Sequence, residues 1–114
     1  MIKVTFDKEE GKYISLRLEG HAGQAEVGKD IVCSAVSILA YTVAQTITQM
    51  HKQGWLKKKP HINLKEGEGL ITCVPKEGYY DECLMAFFVA EVGYHLLSTN
   101  YPQFVGLNMF GEAD

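Results

Sequence analysis

Between Gly20 and Gly54 the chain turns from a glycine-bearing loop into one long apolar helix, and that helix limits the folds open to it. Residues 20–29 carry glycines at 20, 23 and 28 and little apolar material, which reads as a loop. Asp30 is a good N-cap, and Ile31 to about Gln53 reads as helix, closed by Gly54. Ser34, Tyr41, Gln45 and Thr48 form a polar stripe at helical spacing. Cys33, Ser37, Ala40 and Ala44 are small and nearly in line, so another element can come close, while Ile31, Ile38, Leu39, Val43 and Ile47 supply core. Such a helix is expected to be central and covered on several sides.

The remaining segments supply what would cover it. Residues 2–6 and 13–19 read as strands joined by a charged turn, with Ile14, Leu16 and Leu18 alternating with Tyr13, Ser15, Arg17 and Glu19. His61–Leu64 and Leu70–Val74 read as a hairpin around Lys65-Glu66-Gly67-Glu68-Gly69. Asp81 is placed to cap a second helix over Glu82–Ser98, with Leu84–Ala90 as core, and Phe104–Met109 offers a last short strand. The order ββαββα, with that possible final strand, predicts an α+β fold: a small antiparallel sheet with two helices packed on it. At 114 residues the chain is expected to form one domain, 1–114, with a core of its own.

Charge and cysteine usage narrow the function classes. A formal net charge of −3 argues against a general nucleic-acid binder, and Lys57-Lys58-Lys59 before Pro60 reads as a solvated connection. Met1–Phe6 alternates like a strand rather than a leader, and Ser, Thr and Gln in the first helix, with Glu91 and His95 in the second, argue against a membrane span. Three cysteines without framework spacing fit a reduced cytoplasm. With no C-x-x-C and no closely spaced histidine pair, no metal or other cofactor is expected.

The candidate chemistry sits at the two ends of the loop, on His21 and Cys33. If Asp30 caps the helix, Cys33 lies in its first turn, where its own amide and that of Ser34 lack intrahelical partners. The helix end and a nearby imidazole both favour thiolate over thiol, and the free amides would hold the oxyanion formed when a thiolate attacks a peptide carbonyl. Asp30 opposes the first effect by its charge, and it also stands where it could orient His21. A free cysteine packs as a small hydrophobe more often than it reacts, which is the reading taken for Cys73 in its strand and Cys83 in the second helix. The residues by themselves therefore leave three readings open: a cysteine nucleophile with a histidine partner, a non-catalytic binding protein in which both are structural, and a redox-sensing thiol. The last lacks a second cysteine in the motif to resolve it.

Gly20-His21-Ala22, a short loop, then Gly28-Lys29-Asp30-Ile31-Val32-Cys33, with Ser37 four residues on, resembles the signature of the bacterial ribosomal-processing cysteine protease family, Prp. Ser34 departs from the pattern, where alanine is expected. The resemblance implies a cysteine endopeptidase with His21 and Cys33 as its catalytic pair. It implies removal of an N-terminal extension from a large-subunit ribosomal protein precursor, L-twenty-seven. That extension ends in aromatic residues, so a hydrophobic groove is expected beside Cys33. It also implies a homodimer, for which the apolar second helix offers Phe87, Phe88 or Tyr94, and a loop over 22–29 that closes on substrate. The expected partner is thus a peptide, with neither membrane nor direct nucleic-acid contact.

Overall fold

The alternation in the first twenty residues carries into a β-hairpin, β1 (Ile2–Glu9) and β2 (Tyr13–Gly20), paired with Val4 opposite Leu18 and Phe6 opposite Leu16. The computed structural model describes residues 1–21 and 29–108, with Lys29 and Asp30 in backbone alone. Ile2, Val4, Phe6, Ile14 and Leu16 are buried on one face of the hairpin, and Lys3, Asp7 and Arg17 stand exposed on the other. A second hairpin, β3 (His61–Lys65) and β4 (Glu68–Cys73), joins β2 through β4. The last strand, β5 (Val105–Asn108), runs parallel to β1, giving the order β3-β4-β2-β1-β5. The sheet is therefore mixed rather than wholly antiparallel. The preceding helix returns the chain to the end of the sheet where β1 begins. There the Ile2 amide donates to the Phe104 carbonyl at 2.6 Å, and both strands set out in the same direction.

Two helices, α1 (Lys29–Lys52) and α2 (Tyr80–Asn100), pack on the apolar face. On α1 the buried stripe is Val32, Val36, Ala40, Val43, Ala44 and Ile47. Ile31 and Ile38, expected in the core, are exposed, because helical spacing sets them across the cylinder from Val36 and Val43. α1 is thus covered by the sheet on one side and flanked by α2 on another, with its outer face open. By length and composition Ile31–Lys52 could cross a membrane, yet its buried stripe is part of the core. The stripe of small residues divides: Ala40 and Ala44 are buried, whereas Cys33 is half-buried and Ser37 exposed.

The helices meet where α2 is thinnest. A Cβ on Gly93 would stand 2.9 Å from both terminal methyl carbons of Leu39. Next to it the Tyr94 hydroxyl donates to the Val36 carbonyl at 2.9 Å, and its ring tilts against Phe6 with centroids 5.9 Å apart. Burial pushes the Tyr94 phenol up from its ordinary value. Cys83, Phe87, Ala90 and Tyr94 form the buried side of α2. The run Leu84–Ala90 is therefore only partly core: Met85, Phe88 and Val89 are exposed, and with Val92 and Leu96 they make one apolar outer stripe. Neither expected cap holds. α1 begins at Lys29, so Asp30 is inside the helix, and α2 begins at Tyr80 with no side-chain cap bond, so Asp81 lies in its first turn.

Candidate active site

Gly20 closes β2 with φ at +96°, a conformation that L side chains rarely adopt, and a Cβ there would run into the Met1 carbonyl oxygen. Its amide donates to the Gly67 carbonyl at 2.9 Å, which ties the end of β2 to the β3–β4 turn. The next residue is His21. Its carbonyl accepts from the Met1 nitrogen at 2.7 Å, so the backbone is fastened on both sides of the Gly20–His21 step. The His21 side chain is exposed and lies over the turn, with Nε2 only 2.8 Å from where a Cβ of Gly67 would stand.

Cys33 faces the same space from α1. One cavity of about 360 Å³ is bordered by His21 and Cys33 together. Its floor is apolar: Leu18 and Leu64 flank Gly69 in register and close over it, Leu64 Cδ2 being 2.9 Å from a Cβ placed there. Val36 and Ala40 continue that surface along α1, with Ser37 and Tyr41 at the opening. Residues 65–68 form a charged rim across which Lys65 pairs with Glu68 at 3.2 Å. Beside Cys33 there is thus a cavity with an apolar floor and a charged rim. No hydrogen bond joins His21 to Cys33, so the pair lines one cavity without closing on each other.

Two details of the expected mechanism change. A helix starting at Lys29 gives the Cys33 amide an intrahelical carbonyl four residues back, and the unpaired amides belong to the turn before it. The Cys33 and Ser34 amides are therefore not free to hold an oxyanion, and the pull of the helix dipole, strongest in the first turn, is reduced at Cys33. The expected closing of residues 22–29 falls mostly outside the described residues, as does the side chain of Asp30.

The other two thiols are packing residues, as the sequence suggested. Cys73 and Cys83 are fully buried, and Cys73 is held up, well above the ordinary thiol, by its hydrogen bond with Cys83 and by burial. Neither can reach a peptide. Among the described residues no group of three or more His, Cys, Asp or Glu is placed to hold a metal ion. Sequence reasoning missed what the paired strands contribute to the cavity: Leu18 of β2 and Leu64 of β3 as floor, and Gly67 of the β3–β4 turn beneath His21. The signal was the pair of glycines at 67 and 69, one for the turn and one for the leucines to cross.

The sequence matches the family profile described as cysteine protease Prp over residues 1–106. The chain belongs to this family of cysteine proteases. A curated relative, the ribosomal processing cysteine protease Prp of Staphylococcus aureus strain Mu50, is 25% identical over 100 residues, spanning 88% of this chain and 90% of the relative. Among solved structures, a Streptococcus mutans protein superposes with TM-score 0.67 at 27% identity, covering 96% of this chain and 95% of that one. The S. aureus Prp solved with a covalently linked product peptide superposes with TM-score 0.66 at 25% identity, covering 96% and 99%. The same protease with a substrate peptide shares the fold, with TM-score 0.68 at 22% identity and the same coverage. The protein is thus a peptide hydrolase of the Prp family, and its α+β fold is that of its Prp neighbours.

Proposed function

We propose that the protein is an endopeptidase that removes the N-terminal extension of the large-subunit ribosomal protein precursor L-twenty-seven, with Cys33 as nucleophile and His21 as acid and base. The observation that carries this reading is that His21, at the end of β2, and Cys33, on α1, border one apolar-floored cavity. His21 takes the thiol proton, and Cys33 Sγ attacks the scissile carbonyl carbon. A C–S bond forms as the carbonyl electron pair moves onto oxygen. Collapse breaks the C–N bond, and His21 delivers its proton to the leaving amine. Water, deprotonated by His21, then cleaves the thioester, releasing the carboxylate and restoring the thiol. Leu18, Leu64 and Tyr41 receive apolar side chains of the extension.

The ribosomal-processing role of the S. aureus relative and the product peptide linked covalently in its structure support both the substrate class and a covalent step. The reaction needs no cofactor, and it takes place in the cytoplasm, where the thiol stays reduced. Incubating the purified protein with a synthetic peptide spanning the extension junction should yield two fragments by mass spectrometry. A peptide that binds but stays intact would favour the binding-protein reading instead.

The assembly that fits this reading is a symmetric homodimer, and the α2 surface available for it differs from the one first expected. Phe87 and Tyr94 are fully buried in the core, whereas Met85, Phe88, Val89, Val92 and Leu96 form a continuous exposed stripe. Light scattering at micromolar concentration should give twice the monomer mass, and Val89→Glu should return a folded monomer with an unchanged circular dichroism spectrum and a lower Tm, because association no longer adds to stability. A wild-type monomer throughout that range would remove the dimer.

A further inference from the structure

We infer that Gly67, in the β3–β4 turn, is a positioning residue for the reaction: its bare α-carbon is the seat on which the His21 imidazole rests. This rests on the reading of His21 as the catalytic acid and base. Three observations converge on the same residue. The Gly67 carbonyl accepts from the Gly20 amide at 2.9 Å, holding the backbone immediately before His21. The imidazole lies against the open side of Gly67, with Nε2 at 2.8 Å and Cε1 at 3.0 Å from the place a Cβ would take. His21 and Gly67 also border the cavity that Cys33 faces, so the ring's resting place sets its approach to the thiol.

The turn itself favours glycine at 67, where φ is +85°. That requirement explains the residue without the imidazole, so the two must be separated. The contact offers the means. What a new Cβ would meet is the far end of an exposed side chain, which can swing away at little cost to the fold. A purely structural glycine therefore predicts loss of stability with activity kept. A seat predicts the reverse once the backbone conformation is tolerated.

Asparagine meets that condition, since among side-chain-bearing residues it is several-fold enriched at positive φ. Gly11→Asn is the matched control, because Gly11 has φ +79° in the β1–β2 turn with nothing within 4 Å of its would-be Cβ. Gly67→Asn and Gly11→Asn should lose similar amounts of Tm. Only Gly67→Asn should lose cleavage, by about 100-fold and mainly in kcat, the scale expected when a catalytic group is displaced by about an ångström. In proton–carbon NMR spectra of the imidazoles, assigned by His21→Ala, the His21 Cε1–H resonance should move in Gly67→Asn and stay fixed in Gly11→Asn. On a His21→Ala background, Gly67→Asn should cost nothing further.

An unmoved His21 resonance in Gly67→Asn overturns the seat, as does cleavage equal to that of Gly11→Asn. A full additional loss on the His21→Ala background also overturns it, because Gly67 would then act through some other group. The catalytic reading fails separately, when His21→Ala cleaves like wild type. A shifted resonance would then leave the contact real but its role in the reaction refuted.

Discussion

Cys33→Ala should abolish cleavage of the ribosomal-extension peptide while leaving Tm and the circular dichroism spectrum unchanged. Cys33 is half-buried at the edge of the cavity, so trading its sulfur for hydrogen empties space that already opens onto the groove. Alanine is also the best helix former, which leaves α1 intact. Neither other thiol can take over, since Cys73 and Cys83 are wholly buried, and Ser37, one helical turn away, carries a hydroxyl far harder to ionise. Losing the nucleophile should cost on the order of 10⁴-fold or more in kcat, as for other covalent proteases. His21→Ala should fall nearly as far, because nucleophile and base act as one unit, and the double variant should be no worse than the worse single one. Peptide fragments quantified by mass spectrometry over long incubations would measure all three. Full cleavage by Cys33→Ala would place the nucleophile elsewhere in the chain.

The strands could be read from the sequence because each hairpin carries its own evidence: alternation on the inward face and glycine or charge at the turn. The helix boundaries and core faces were less legible. Ile31 and Ile38 are as apolar as Val32 and Val36, and only the position of the sheet decides which pair is buried. The same holds on α2, where Phe87 and Phe88 are identical in composition and opposite in fate. The parallel pairing of β5 with β1 joins the two ends of the chain, and no local pattern encodes that. His21 and Cys33 stood out through their motif, twelve positions apart by subtraction of their numbers, on a loop leading into a helix. What builds the cavity around them comes from Leu18, Leu64 and Gly67, whose meeting depends on strand register and so becomes visible only in three dimensions.

Gly20→Ala should damage both the fold and the activity, in contrast to the same change at Gly78. Both glycines have positive φ, +96° at Gly20 and +91° at Gly78, so each alanine pays the conformational penalty of roughly 1–2 kcal/mol. At Gly78 nothing lies within 4 Å of the new methyl, and the cost ends there. At Gly20 the methyl meets the Met1 carbonyl oxygen, which is backbone and cannot swing aside. Either β1 or the end of β2 must shift, straining the Gly20–Gly67 and Met1–His21 hydrogen bonds that fasten the chain around His21. The combined loss should reach about 2–4 kcal/mol, a fall in Tm of about 10 °C. Because the displaced residue precedes the imidazole directly, cleavage at a temperature where the variant is still folded should drop by about 100-fold. Calorimetry and peptide cleavage on the two alanine variants side by side would test this. Equal Tm and equal activity for Gly20→Ala and Gly78→Ala would mean that the Met1 carbonyl yields freely and that the end of β2 does not fix His21.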